Sequence, residues 1–300
     1  MLSLKKIYQH LIAWRYIIGF ADYSDAIVLE KSFFPSIHWL KGVPKERWFA
    51  DPFILSVSEK EIEVLVENYS YSDKKAKISI ISVDKATYHL THIFDILTLS
   101  DHLSFPAYFR EKDRVFIYPE KCKSGCLTLF EFDSVTRVLQ KQTVILQQPI
   151  ADAVIATING SSVIMGTLYP NDNGNTLYIY PFNRSTPDPF TYPLQIVHLP
   201  DNTARNAGLL FSSFNKVMIR PAQCCNKRYG ECLVLQRVVQ KGQHTLAFEE
   251  IKRVYSPSKR YNLSFHTFNV FQNRLITVDA AGYRYRLIGH ILESIRNLFR

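Results

Sequence analysis

Five segments of this chain share one layout, and a fivefold repeat of this spacing leaves few folds open. Each begins with a short apolar run headed by a polar or turn-forming residue, and 13 to 17 residues later a second β-rich run ends on a polar group. The heads are Trp48 to Phe53 (WFADPF), Ser104 to Phe109 (SFPAYF), Ile150 to Ile155 (IADAVI), Arg205 to Leu210 (RNAGLL) and Ser264 to Asn269 (SFHTFN). With Asp51, Pro106, Asp152, Asn206 and His266 taken as equivalent, the repeats lie 55, 46, 54 and 60 residues apart. That is the size of a propeller blade rather than of a helical repeat. The second runs end at Glu67, Glu120, Thr167, Gln223 and Asp279, and third runs follow at Lys77 to Ser82, Cys126 to Phe132, Thr176 to Phe182, Gly230 to Arg237 and Tyr283 to Leu287. All are short and rich in Val, Ile, Leu, Tyr and Phe, with turn formers between them, as meander strands should be. The predicted fold class is therefore all-β, a five-bladed β-propeller with a short amphipathic helix at each end.

This topology locates a candidate site. The first strand of a blade lines the central channel and the second returns antiparallel, so the start of one and the end of the other open on the same face. Asp51, Asp152, Asn206, His266, Glu67, Glu120, Gln223 and Asp279 are expected to converge at one mouth of the channel, a concave place for a ligand.

The chain of 300 residues is 47% hydrophobic, with 20 Phe and 17 Tyr to fill the wedges between blades, and no low-complexity tract divides it. Residues 1–300 are expected to form one closed domain, with a strand near Trp14 to Phe20 or Ala26 to Glu30 completing the last blade, because an unclosed ring would keep exposed edges. Lys5, Lys6, His10 and Arg15 interrupt the apolar residues of the first twenty positions, so neither a membrane span nor a cleaved leader is predicted there. From Leu287 onward the apolar residues 287, 288, 291, 292, 295, 298 and 299 follow a helical period, with Arg296 and Arg300 on the other side. Packing of this helix on the barrel wall is favoured over contact with a partner or a membrane surface. Five cysteines, Cys122, Cys126, Cys224, Cys225 and Cys232, without paired metal-site spacing, read as free thiols in a reducing cytoplasm, with a Cys122–Cys126 hairpin pair left open. No cofactor and no metal site is expected.

A net charge of +9 from 36 basic and 27 acidic residues attracts anions in general. The basic residues are spread over the inter-strand loops and no nucleic-acid-binding motif is present, so specific nucleic-acid binding is not expected. Arg205, Arg220 and Arg228 fall together in the fourth unit, and guanidinium forks hold carboxylates and phosphates bidentately. The competing role for each is an ion pair with a neighbouring-blade carboxylate such as Asp152 or Glu120.

Trp48-Phe49-Ala50-Asp51-Pro52-Phe53, Val66-Glu67, Leu103-Ser104-Phe105-Pro106, Tyr118-Pro119-Glu120, the run His198 to Gly208, Arg220-Pro221-Ala222-Gln223 and Tyr229-Gly230 together resemble the amino-terminal domain of glucosamine inositolphosphorylceramide transferases. The resemblance covers roughly residues 47–254. It implies a propeller related to those of arabinanase-, xylosidase- and invertase-type glycoside hydrolases, and it carries no transferase chemistry, which belongs to a separate carboxy-terminal domain in the plant members. Three departures stand out. Gln223-Cys224-Cys225 lacks the acid often found after the R-P-A motif, Met165-Gly166 replaces an aromatic-rich strand, and Pro106-Ala107 stands where the hydrolase relatives usually carry a second acid.

Glycoside hydrolysis needs one carboxylic acid to protonate the leaving oxygen and one carboxylate as base or nucleophile. Asp51 is the candidate base, with an Asx-type turn cap as its competing role. Glu120, at the end of a buried strand, is the candidate acid because desolvation raises a carboxyl pKa; an ion pair with Arg205 or Arg220 would remove it from that role. Asp152 is the third catalytic candidate. Glu67, Arg205, Asn206, Arg220, Gln223, His266 and Asp279 are candidates for binding or for tuning the acids, and His266 reads more simply as a channel histidine satisfied by Thr267 or Asp279. The reading is a carbohydrate-binding, glycoside-hydrolase-like propeller in glycan metabolism whose ligand is a carbohydrate, a sugar phosphate or a nucleotide sugar. The alternatives are a non-catalytic accessory to a separate glycosyltransferase or formyltransferase, and a protein-interaction propeller.

Overall fold

The computed structural model describes residues 4–121, 124–242 and 245–298. Helix α1 (Leu4–Leu11) leads into β1 (Trp14–Asp22), the short helix α2 (Ala26–Leu29) and β2 (His38–Trp39). Four strands follow in each of the first three blades: β3 (Arg47–Val57), β4 (Glu61–Ser70), β5 (Lys75–Asp84) and β6 (Leu90–Leu97); β7 (Ser104–Glu111), β8 (Arg114–Glu120), β9 (Leu127–Asp133) and β10 (Val138–Leu146); β11 (Ile150–Ile158), β12 (Ser161–Leu168), β13 (Thr176–Pro181) and β14 (Gln195–His198). The fourth blade is β15 (Phe211–Ser212), β16 (Met218–Cys224), β17 (Cys232–Gln240) and β18 (Leu246–Val254), and the chain ends with β19 (Phe268–Phe271), β20 (Leu275–Tyr283) and helix α3 (Arg286–Leu298).

These strands form five four-stranded sheets, so the molecule is a five-bladed propeller. Four sheets run in chain order; the fifth has the order β19-β20-β1-β2, with β1 antiparallel to β20 from Trp14↔Tyr283 to Asp22↔Leu275. Ala26–Leu29 is a helical turn that buries Ile27 and Val28, so the strand reading for that stretch does not hold.

The burial pattern explains why the middle strands read as unbroken apolar runs. Val64, Leu65 and Val66 are all buried, yet Leu65 packs with Phe53, Ile80 and Phe105 while Val64 and Val66 pack with Ile18, Phe20, Ile54 and Ile81. Successive side chains of a strand point to opposite faces, and here each face meets a different neighbouring blade. The outer strands β6 and β10 have one wet face and are largely exposed.

Helix α3 departs from the expected wall packing. Leu287, Ile288, Ile291 and Ile295 are exposed, and the helix meets the body through Glu293, which faces Arg228 at 3.9 Å, and through His290, whose ring lies 5.1 Å from that of Tyr283. Cys126, Cys224, Cys225 and Cys232 are free thiols; a Cys122–Cys126 pair lies outside the described residues, as do Phe299 and Arg300 of the tail.

Candidate functional site

The heads of the first three blades share a backbone device. Each of β3, β7 and β11 shifts register against its partner, between Ala50 and Phe53, Ser104 and Ala107, and Ala151 and Val154. The residue after each break has positive φ: Asp51 at 49°, Phe105 at 43° and Asp152 at 43°. A bulge re-aims one side chain and leaves its amide unpaired in the ladder. The second-blade equivalent of Asp51 is therefore Phe105, one residue before the Pro106 aligned from sequence, and that head carries an apolar ring.

The unpaired bulge amides are capped by carboxylates. The Asp51 N–H donates to Asp279 Oδ2 at 2.8 Å, the Phe105 N–H to Asp51 Oδ2 at 3.0 Å, and the Asp152 N–H to Glu120 Oε2 at 2.7 Å. Asn206 continues the bracing by donating to the carbonyls of Asp152 and Met165 at 2.8 and 2.9 Å, and Asn269 donates to that of Pro52 at 2.9 Å. Buried backbone groups need such partners, so much of the acidity near the axis holds the blades together.

Around these braces the side chains form two groups. In the first, His266 Nδ1 lies 2.6 Å from Asp279 Oδ1 and its Nε2 3.5 Å from Asp51 Oδ1, while Thr267 Oγ1 donates to Asp51 Oδ1 at 2.9 Å. Burial, the largest single influence, lowers the His266 pKa, but the carboxylates of Asp279, Asp51 and Glu67 together raise it. Glu67 Oε1 faces His102 Nε2 at 3.1 Å. Burial first, and the adjacent Asp51 carboxylate second, push Glu67 well above the usual carboxyl range, and burial also raises Asp51. In the second group Arg205 is the hub. Its Nε donates to Asp152 Oδ2 at 2.6 Å, its Nη1 pairs with Asp172, and its Nη2 lies 3.4 Å from Glu120 Oε2. Gln223 Nε2 donates to the same Asp152 oxygen at 2.6 Å and to the Asn206 carbonyl at 2.7 Å. Tyr229 joins the groups, its ring 5.1 Å from the Arg205 guanidinium and 5.2 Å from the His266 ring.

Nine of the ten sequence candidates thus gather at the head end. Arg220 does not join them: it is wholly buried, donating to Asn206 Oδ1, Gln236 Oε1 and the carbonyls of Thr203 and Ala204. Without a carboxylate partner, its pKa is pushed down by burial to about 9. Asp172, Thr267 and Tyr229, and Tyr16 with its ring 5.1 Å from that of His266, join the site without being among the sequence candidates. Asp172 lies in the turn-rich stretch after β12, whose composition predicts a loop and not what the loop touches. Among the described residues, two trios place ligand atoms within 4.8 Å of one another, Asp51-His266-Asp279 and Cys224-Glu231-Cys232. The first is already occupied by the amide, hydroxyl and imidazole contacts above. A cavity of about 880 Å³ lies elsewhere, at the far ends of the inner strands among Tyr108, Arg110, Glu111, Thr157, Asn183 and Arg184. The one carboxylate among its lining residues, Glu111, is paired with Arg184, whereas the clustered carboxylates lie at the head end.

The family model for the N-terminal region of glucosamine inositolphosphorylceramide transferase 1 matches residues 40–272. A sequence search of curated proteins finds no match. Among solved structures, a thermostable family-43 glycoside hydrolase aligns with TM-score 0.50 at 12% identity over 71% of this chain and 78% of its own. The exo-beta-1,3-galactanase 1,3Gal43A from Clostridium thermocellum gives 0.51 at 11% over 82% and 64%. The beta-xylosidase RS223 gives 0.50 at 9% over 78% and 93%. At these identities the likeness is one of fold.

Proposed function

The chain belongs to the family of glucosamine inositolphosphorylceramide transferase 1 N-terminal domains, and from that premise we propose that it recognises a carbohydrate at the head-end mouth of the propeller, in glycan metabolism. The observation that carries this reading is the set of polar and aromatic groups at that mouth, where Tyr229 spans Arg205 and His266 and Glu67 faces His102 beside Tyr69. A buried carboxyl facing an imidazole and the hydroxyl edges of tyrosine rings offer hydrogen bonds to sugar hydroxyls while the rings supply apolar contact, and Arg205, engaged by Asp152, Asp172 and Glu120, holds the Tyr229 ring in place. Trp48 and Tyr69 stack at 4.6 Å with 8° between their planes and stiffen one side of the mouth.

Hydrolysis through Asp51 as base and Glu120 as acid is not favoured. Asp51 already accepts from the Phe105 amide and the Thr267 hydroxyl, and Glu120 accepts from the Asp152 amide beside Arg205, the arrangement of an acceptor rather than of a proton donor. If the site is catalytic, Glu67 is the acid. The test is calorimetric titration with oligosaccharides, sugar phosphates and nucleotide sugars, alongside a hydrolysis assay, for the parent, Glu67→Gln and Tyr229→Ala. Binding that weakens at least tenfold in both variants supports the reading. Binding unchanged in both, with loss instead on Arg110→Ala, would move the site to the cavity at the opposite mouth. Turnover abolished by Glu67→Gln while binding persists would make the protein a hydrolase.

A further inference from the structure

We infer that helix α3 and the basic cavity beside its start form a docking surface for an anionic lipid bilayer. The helix is turned inside out for a soluble surface element. At about 100° per residue, Gly289 and Glu293 share one side, and that side meets the body, where Gly289 lies against the ring of Tyr283 and Glu293 faces Arg228. Leu287, Ile288, Ile291 and Ile295 lie on the opposite side, exposed by 78, 43, 59 and 46%. An ordinary amphipathic helix buries its apolar stripe against the core; this one presents it outward. Ile7 of α1 is also exposed, and His10 in the last turn of that helix bonds the hydroxyl of Tyr285, just before α3, at 3.0 Å, which brings the end of α1 beside the start of α3.

The charge beside the helix identifies what covers it. Arg284 and Tyr285, the residues just before α3, line a cavity of about 570 Å³ together with Arg15, Lys45, Arg260 and Tyr261, and no carboxylate is among its lining residues. Arg15 donates to the carbonyls of Pro44 and Lys45, and Arg284 lies 3.8 Å over the Tyr71 ring, so both cations are held in place. Arg286 and Arg296 are exposed on the helix itself. An exposed apolar helix face whose start adjoins a basic cavity, with the helix arginines on its other side, suits the headgroup region of a membrane, where acyl contact and attraction to anionic lipid add. A protein partner would more often meet such a face with carboxylates paired to these arginines, which remains an outcome of the test.

The experiment is flotation of the full chain with vesicles of phosphatidylcholine alone and of phosphatidylcholine mixed with phosphatidylglycerol, at low and high salt. Association with the mixed vesicles only, weakened by salt because screening shortens the reach of the charges, is the expected result. Ile288→Asp with Ile291→Asp should abolish it, and Arg260→Ala with Arg284→Ala should reduce it to the level of neutral vesicles. The isoleucines are exposed, so the melting temperature should not move; if the doubly charged variant fails to fold, Ile291→Ser replaces it. No flotation, flotation indifferent to the anionic lipid, or a concentration-dependent dimer dissolved by Ile291→Asp would each overturn the inference.

Discussion

At the scale of single residues, the head end is defined by groups whose protonation is set by burial and by neighbouring carboxylates. Glu67 has a folded pKa raised above the usual 4.5 and His266 one raised above 6.5. A raised folded pKa means the native state binds more protons than the unfolded one, so the stability each group contributes is complete below its unfolded pKa and is lost as pH rises through the folded value. The melting temperature should therefore fall as pH is raised from about 4.5, and Glu67→Gln should make the slope below pH 6.5 shallower while leaving the parts due to the raised Asp51 and Asp152 and, at higher pH, to His266. Differential scanning fluorimetry of the two proteins across that range checks this; a parent curve rising with pH would contradict it. Arg205 is the other decisive residue. Removing it leaves Asp152 enclosed without its cation, and breaking a buried pair in this way costs about 3–5 kcal/mol. Arg205→Ala should lose that much in urea unfolding, and Arg205→Lys, which keeps the charge but not the fork, should lose less. The acids, arginine and histidine here stand out in the sequence because they recur at the heads. Arg220 and Gln223 lie three apart on β16 and so face opposite sides of the sheet, and while Gln223 reaches Asp152, Arg220 is engaged by Asn206, Gln236 and two backbone carbonyls.

At the scale of elements, the device that builds the mouth is the bulge at Asp51, Phe105 and Asp152. A bulky residue at positive φ is uncommon and costly, and Phe105 accepts it because its amide reaches Asp51 and its ring packs edge-on against Phe53, with centroids 5.0 Å apart. Glycine in its place would relieve the backbone and leave a cavity. Phe105→Gly should therefore destabilise by about 3–5 kcal/mol, the usual loss for a buried aromatic truncated in this way, measurable by chemical denaturation; a neutral or stabilising effect would show that backbone strain dominates. The second element is β1, which lies between β20 and β2 in its sheet. Deleting residues 1–22 would expose the ladder edge of β20, and unprotected edges pair with other chains. The truncated protein should aggregate, and amides of β20 should lose protection in hydrogen exchange. The strands themselves are legible in sequence because their β-branched and aromatic runs are bounded by turn residues. The inverted helix α3 was legible as amphipathic, but periodicity gives a stripe without saying which way it points.

For the whole molecule, every blade shares both faces of its core with neighbours, and side chains such as Asn206 and Asn269 donate across blade boundaries. The ring should unfold as one unit. Calorimetry should give a single transition, and Asn269→Ala, which leaves the Pro52 carbonyl and the Leu209 amide without their partner, should lower its midpoint by the equivalent of about 1–3 kcal/mol per orphaned group without splitting it; two resolved transitions would refute this. The sequence alone determined the blade count, the class of fold and the end of the ring where polar residues gather, because the repeat spacing and the alternation of strands are local properties written along the chain. Only the tertiary structure decided which of those residues brace the blades, that Asp172 reaches Arg205 from a loop, that Phe105 rather than Pro106 occupies the second head, and that α3 turns its apolar side outward. Each depends on distances between residues far apart in sequence and on burial from several blades at once, and no pattern within one segment encodes these.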